Sequence, residues 1–232
     1  ISFNKNISRF KEISKEFSPN YIYIDDFEYF RKGKNRNDCE KYLNGEDDLK
    51  SLIYDKHIDI IVCATSGFAG LKTAYLAASS GKKILLANKE SIVVGGDLIL
   101  PLAKKYNSEI IPIDSEHNAI FQCLSGEMGT DDVKNITITA SGGPFINTPI
   151  DDLKNVTIED ALNHPNWQMG NKVTIDSATL VNKCLELIEA KYLFEMNEKY
   201  FDLVVHPQSI IHSIVTFIDG SSICQMLSLI HI

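Results

Sequence analysis

The sequence predicts an α/β protein in two parts, a parallel-sheet domain of nucleotide-binding type over residues 1–112 and a second α/β domain over residues 113–232. Three observations carry this. Short β-rich apolar runs alternate with helical stretches as far as Ile113, and the rhythm changes after Asp114. A chain of 232 residues with 44% hydrophobic content can also bury a substantial core, which argues against disorder.

The elements follow in order. Residues 10–17 suit a helix and 21–24 a strand. The run Ile58-Asp59-Ile60-Ile61-Val62-Cys63 reads as a strand, and a helix over 68–79 follows Gly67, with Gly81 placed to end it. Residues 83–87 form the next strand, 98–106 a helix and 109–113 a third strand. Strand, helix, strand, helix, strand implies right-handed crossovers and a parallel sheet, which the strand at 21–24 is expected to extend. The charged stretch 31–48 reads as a solvated insertion. Beyond Asp114 a strand is expected at 136–139, an irregular stretch to Gly170, a long helix over 178–195, and strands at 203–205 and 210–217.

Composition excludes several classes of partner. A net charge of −8 argues against a nucleic-acid or anionic-membrane surface, since both need concentrated Lys and Arg. The five cysteines, Cys39, Cys63, Cys123, Cys184 and Cys224, are widely spaced without a CxxC pair, which indicates a reducing compartment and no zinc site. No apolar run reaches the roughly 18 residues of a membrane span, and no leader segment is expected.

Two constellations suggest chemistry. In Ile113-Asp114-Ser115-Glu116-His117 the carboxylates of Asp114 and Glu116 lie two residues apart beyond a strand, where open α/β sheets bind ligands. If the strand continues, both face one side, and a hard divalent cation would relieve their repulsion. The alternative is a helix start capped by Asp114 or Ser115. Further on, Asn182, Lys183 and Glu186 share one helical face amid Leu180, Val181, Cys184, Leu185, Leu187 and Ile188. Ser177, read as near the start of that helix, would place free amides and a lysine around a phosphate. The competing reading is a solvated stripe with a weak Lys183–Glu186 pair. The loops at 88–91 and 139–144 follow strands, where binding loops gather or chains merely turn. Trp167, the single tryptophan, suits either a flap over a ligand or a packing anchor. His206 and His212 read as structural, and His57, His117 and His231 receive no role.

Taken in order, AsnLysGluSer at 88–91, AspSerGlu at 114–116, AlaSerGlyGlyProPhe at 140–145, HisProAsnTrp at 164–167, AspSerAlaThr at 176–179 with AsnLys at 182–183, and HisProGlnSer at 206–209 resemble the 1-deoxy-D-xylulose 5-phosphate reductoisomerase family. The resemblance implies a Rossmann-like NADPH-binding domain over 1–112 and a catalytic, dimerising α/β domain over 113–232. It implies that Asp114, Glu116 and Glu186 ligate Mg2+ or Mn2+, and that Ser141, Ser177, Asn182 and Lys183 bind the substrate phosphate. Lys89, Ser115 and His164 would contact the rest of the sugar, with Lys89, Glu116 and His164 catalytic and Trp167 in a mobile flap. Asn88, Glu90 and Gly170 would touch NADPH, Asn4, Lys5 and Asn6 its 2′-phosphate, and His212 would support the site.

The implied reaction joins retroaldol and aldol rearrangement to hydride transfer from NADPH, giving 2-C-methyl-D-erythritol 4-phosphate. The family is homodimeric. A family Gly-rich strand and turn is expected ahead of Ile1 and a helical domain beyond the chain's end, where 227–232 depart from the family pattern. Asn, Lys and Ile richness suggests an AT-rich genome and a plastid, with a bacterial cytoplasm as the alternative. A competing class is a non-catalytic relative or inactive fragment that binds a phosphorylated ligand and dimerises.

Overall fold

In the computed structural model the described residues are 1–26, 42–126, 128–165 and 169–227. They divide into two compact units, Ile1–Asp59 and Ile60–Ile232. In the first, β1 (Ser2–Phe3) and β2 (Tyr23–Ile24) pair in parallel, flanked by α1 (Ile7–Phe17) and α2 (Gly45–Tyr54). Its core is Phe10 and Ile24, with Phe3 stacked on Phe10 at 4.0 Å between ring centroids. The expected extension of a single sheet does not occur by hydrogen bonding. These two-residue strands form a sheet of their own, and Tyr23 instead bridges Leu43. Of the polar stretch 31–48, residues 31–41 lie outside the described residues. Its end opens α2, where Glu46, Asp47 and Asp48 suit the positive N-terminal end of a helix.

The second unit holds two sheets. β3 (Ile60–Cys63), β4 (Lys83–Leu86) and β5 (Glu109–Pro112) are parallel, connected through α3 (Gly70–Ala78) and α4 (Lys89–Tyr106). Ile84 and Leu86 point inward from β4 against Ala74, Ala77, Ile92 and Ile99. α4 begins nine residues before the expected start at 98. Asn88 caps it by accepting from the Ser91 amide at 2.8 Å, so the loop read at 88–91 is the helix's first turn. Gly95 departs from helical geometry, and this break masks the helical pattern ahead of Leu98.

The other sheet is mixed, in the order β7-β6-β8-β9. β6 (Val133–Ala140) is parallel to β7 (Phe201–Val205) and antiparallel to β8 (Ile211–Phe217), which pairs with β9 (Ser222–Met226). α5 (Ser115–Cys123) and α8 (Val181–Leu193) cover it, burying Ile120, Ile136, Ile138, Ala190, Val215 and Phe217. Between them come α6 (Ile158–Leu162) and α7 (Asn171–Ala178). The single helix expected over 178–195 is two helices, because Thr179 is extended and interrupts the ladder. Among the described residues no helix is long and apolar enough to cross a membrane.

Candidate functional site

The site lies where strands of the second unit end. β4 leads into Lys89, β5 into Asp114 and β6 into Ser141. These loops and α8 line a cavity of about 480 Å3 that includes Lys89, Asp114, Ser115, Glu116, Ser141, His164, Ser177, Asn182, Lys183 and Glu186. Ten of the sequence-derived positions therefore converge. The basis for three of them changes.

Asp114 and Glu116 do not converge on an extended strand. β5 ends at Pro112, and Asp114 caps α5 by accepting from the Glu116 amide at 3.3 Å. Capping and convergence are thus compatible, since Glu116 follows two residues after the cap and one oxygen of each carboxylate still lies within 4.8 Å of the other. Ser177 sits at the end of α7 rather than at a helix start, so its place rests on the chain break at Thr179 and not on free amides. The solvated-stripe reading of α8 is overturned, because Asn182, Lys183 and Glu186 are all buried, Glu186 to 1% exposure.

Three carboxylates and two ammonium groups share this interior. One oxygen each from Asp114, Glu116 and Glu186 lies within 4.8 Å of the others. Lys89 Nζ lies 2.8 Å from Asp114 Oδ2 and 2.9 Å from Glu186 Oε1, and donates to Asn182 Oδ1 at 3.0 Å. Lys183 donates to Glu186 Oε2 and lies 3.4 Å from Glu116 Oε1. Ser115 Oγ donates to Glu116 Oε2 at 2.8 Å, and His212 Nδ1 lies 3.3 Å from Glu116 Oε1.

The pKa shifts follow this geometry. Burial would raise the Asp114 and Glu116 carboxyls, but Lys89 holds the first well below its ordinary range and Lys183 lowers the second. Glu186 goes the other way. Burial, with repulsion from Glu116 and Asp114, outweighs the lysines and raises it. Burial alone would lower Lys89 and Lys183, yet the surrounding carboxylates raise both, so each remains an ammonium. Three carboxylates, each offering one oxygen within 4.8 Å of the others, are a donor set for a hard divalent cation such as Mg2+ or Mn2+.

Around this centre, Ser141 Oγ and His164 Nε2 are 3.1 Å apart, and burial lowers the His164 imidazole, favouring its neutral form. Gly142 and Gly143, both at positive φ, carry the chain past Ser141. Asn88 and Glu90 border a smaller adjoining cleft of about 60 Å3 that shares Lys89 and Asn182 with the main cavity. Asn88 Nδ2 donates to the Thr65 and Gly67 carbonyls at 2.6 and 3.0 Å, joining that cleft to the loop after β3. Lys172 bridges Glu90 and Asp176 at 2.8 and 2.6 Å.

Gly170 precedes α7 and borders neither cavity. In the first unit Asn6 caps α1, Asn4 donates to Asp25 at 3.2 Å, and Lys5 lies 3.7 Å from Asp26. Trp167 and His231 fall outside the described residues. His206 accepts from the Ile210 amide at 3.2 Å, the structural role expected of it. His212, also read as structural, lines the main cavity.

Two residues that sequence reasoning passed over stand behind the carboxylates. His117 and Glu189 are each fully buried. Glu189 extends the Asn182–Glu186 face by one more helical step, a spacing that could have marked it.

A family model described as 1-deoxy-D-xylulose 5-phosphate reductoisomerase matches residues 1–96, and one described as its C-terminal domain matches 110–194. Curated 1-deoxy-D-xylulose 5-phosphate reductoisomerases of Francisella tularensis subsp. novicida and Clostridium kluyveri are each 44% identical, over 95% and 98% of this chain. The chain spans 58% and 60% of their lengths. A crystal structure of DOX-P reductoisomerase in complex with NADPH, fosmidomycin and magnesium superposes with a TM-score of 0.89 at 40% identity, covering 98% of this chain and 59% of that one. The Zymomonas mobilis enzyme in complex with NADPH gives 0.84 at 37% identity, covering 98% and 59%. With both family models and these relatives matching across its length, the chain belongs to the 1-deoxy-D-xylulose 5-phosphate reductoisomerase family.

Proposed function

We propose that this chain carries the cofactor-, metal- and substrate-binding parts of an NADPH-dependent reductoisomerase that converts 1-deoxy-D-xylulose 5-phosphate to 2-C-methyl-D-erythritol 4-phosphate in non-mevalonate isoprenoid biosynthesis. The observation that carries this reading is one cavity holding Asp114, Glu116 and Glu186 together with Lys89, Ser141, His164, Ser177, Asn182 and Lys183. The magnesium and NADPH of the superposed complexes support the choice of cofactors.

Asp114, Glu116 and Glu186 would hold Mg2+ or Mn2+. When bound, that ion supplies Lewis-acid polarisation of neighbouring substrate oxygens, and NADPH supplies hydride. The chain's own residues do the rest. Ser141, Ser177, Asn182 and Lys183 offer hydroxyl, amide and ammonium donors to a phosphate, whose binding energy can orient the reacting end. Lys89 stays charged, so it acts as an electrostatic anchor and hydrogen-bond donor, not as a general base. Neutral His164, set by Ser141, can accept or donate at a sugar hydroxyl, and Ser115 orients Glu116. Trp167 would close over the substrate. Asn88, Glu90 and Gly170 are assigned to the nicotinamide side, and Asn4, Lys5 and Asn6 to the 2′-phosphate.

The functional boundary is proposed near residue 112; two separate family-model matches, ending at residue 96 and beginning at residue 110, support a division in this region. A homodimer is proposed as the assembly. For the compartment, composition favours a plastid and the bacterial sources of the relatives favour a bacterial cytoplasm. Assaying NADPH oxidation by the complete protein with a panel of sugar phosphates tests the reading. Turnover is expected with 1-deoxy-D-xylulose 5-phosphate and Mg2+ and not without the metal. Oxidation with another sugar phosphate alone would replace the substrate assignment.

A further inference from the structure

His117 lies behind the carboxylate cluster and touches two of its members. Its Nε2 is 2.8 Å from the Glu186 main-chain oxygen, and its Nδ1 is 3.0 Å from Asp114 Oδ1. A carbonyl oxygen only accepts, so Nε2 carries a hydrogen, and the hydrogen bond from Nδ1 to the Asp114 carboxylate requires a second. With both nitrogens donating, the ring is an imidazolium.

Glu189 flanks the same ring nitrogen that faces Asp114. Its Oε2 is 3.3 Å from His117 Nδ1, it has no solvent exposure, and neither carboxylate oxygen has a hydrogen-bond partner among the described residues. A buried carboxylate satisfied only by one ion pair is costly to fold, and burial pushes its carboxyl up to about 7. Nothing in the mechanism above uses it. Its position explains it, because α8 carries Glu186 and Glu189 one turn apart while α5 carries Asp114 as its cap and His117 in its first turn. The pair thus ties together the two helices that bring Asp114 and Glu186 into one cavity.

We propose that Glu189 is a positioning residue for the metal centre: by holding His117 against Asp114 and the Glu186 main chain, it sets the separation and orientation of these two ligands. This rests on the assignment of Asp114, Glu116 and Glu186 as metal ligands. Outer-shell partners of this kind typically alter metal affinity by about 10–100-fold.

The test is Mn2+ binding, followed by electron paramagnetic resonance of the free ion, to the complete protein and its Glu189→Gln, His117→Gln, double and Glu186→Gln variants. Gln fills the same volume as Glu189 without its buried charge. Glu189→Gln is expected to weaken Mn2+ binding at least tenfold while NADPH binding and the melting temperature stay near wild type. The double variant is expected to bind about as weakly as the weaker single variant, since both act through one contact. Unchanged Mn2+ affinity in Glu189→Gln would overturn the inference, as would strictly additive losses, or an equal loss of NADPH binding with general destabilisation. Wild type that binds no Mn2+, or Glu186→Gln that binds it as wild type does, would instead defeat the ligand assignment itself.

Discussion

Replacing Glu186 by Gln in the complete protein is expected to reduce metal-dependent turnover by about 10³-fold or more, equivalent to roughly 4 kcal/mol of lost transition-state stabilisation. Fold and NADPH binding are expected to survive. The reason lies in how the buried charges are shared. Lys89 retains Asp114 at 2.8 Å and Lys183 retains Glu116 at 3.4 Å, so neither ammonium is stranded when Glu186 loses its charge. Ionised Glu186 is itself disfavoured in the folded state, since burial and its two acidic neighbours raise it. Gln removes that penalty while keeping an oxygen for Asn182 and Lys89. Steady-state kinetics against Mg2+ concentration, alongside a melting curve, separate the outcomes. Turnover near wild type would contradict the role of Glu186, and a collapsed melting transition would contradict the account of the charge network.

Gly143→Ala is expected to damage stability and substrate binding together. Gly143 has φ +69°, and a Cβ there would overlap the Ser177 carbonyl oxygen. Left-handed strain in Ala and forced overlap together cost about 3 kcal/mol, which corresponds to a fall of roughly 6–12 °C in melting temperature for a unit of this size. The overlap falls on the backbone of Ser177, so the displacement is passed to the proposed phosphate seat. KM for the sugar phosphate should rise more than KM for NADPH. A variant with unchanged melting temperature and unchanged KM would show that the loop after β6 relaxes freely and does not position Ser177.

The parallel three-stranded sheet was legible in the sequence because its strands are short apolar runs punctuated by Gly67 and Gly81, and period and punctuation are local signals. The start of α4 was not, because Gly95 breaks the pattern that would have revealed it, and the Asn88 cap is visible only through its bonds. At the site, spacing marked Asp114 and Glu116 as a cation-binding pair and Glu186 as part of a polar helical face, while the family resemblance supplied the ligand role of Glu186 and the roles of the surrounding residues. The helix break at Thr179 and the burial of α8's polar face depend on tertiary packing and had no local signature. His117 and Glu189 were missed for the same reason. A lone histidine beside an acidic pair and a glutamate late in a helix acquire meaning only when α5 and α8 bring them within 3.3 Å.

The account depends on folding bringing three acidic side chains, remote in sequence, around one divalent cation. Crystals of the complete protein grown with Mn2+, measured at the manganese absorption edge, test this directly. The expected result is one anomalous peak about 2.1 Å from a carboxylate oxygen of each of Asp114, Glu116 and Glu186. A peak that leaves Glu186 unliganded, or no peak in this cavity, would contradict it.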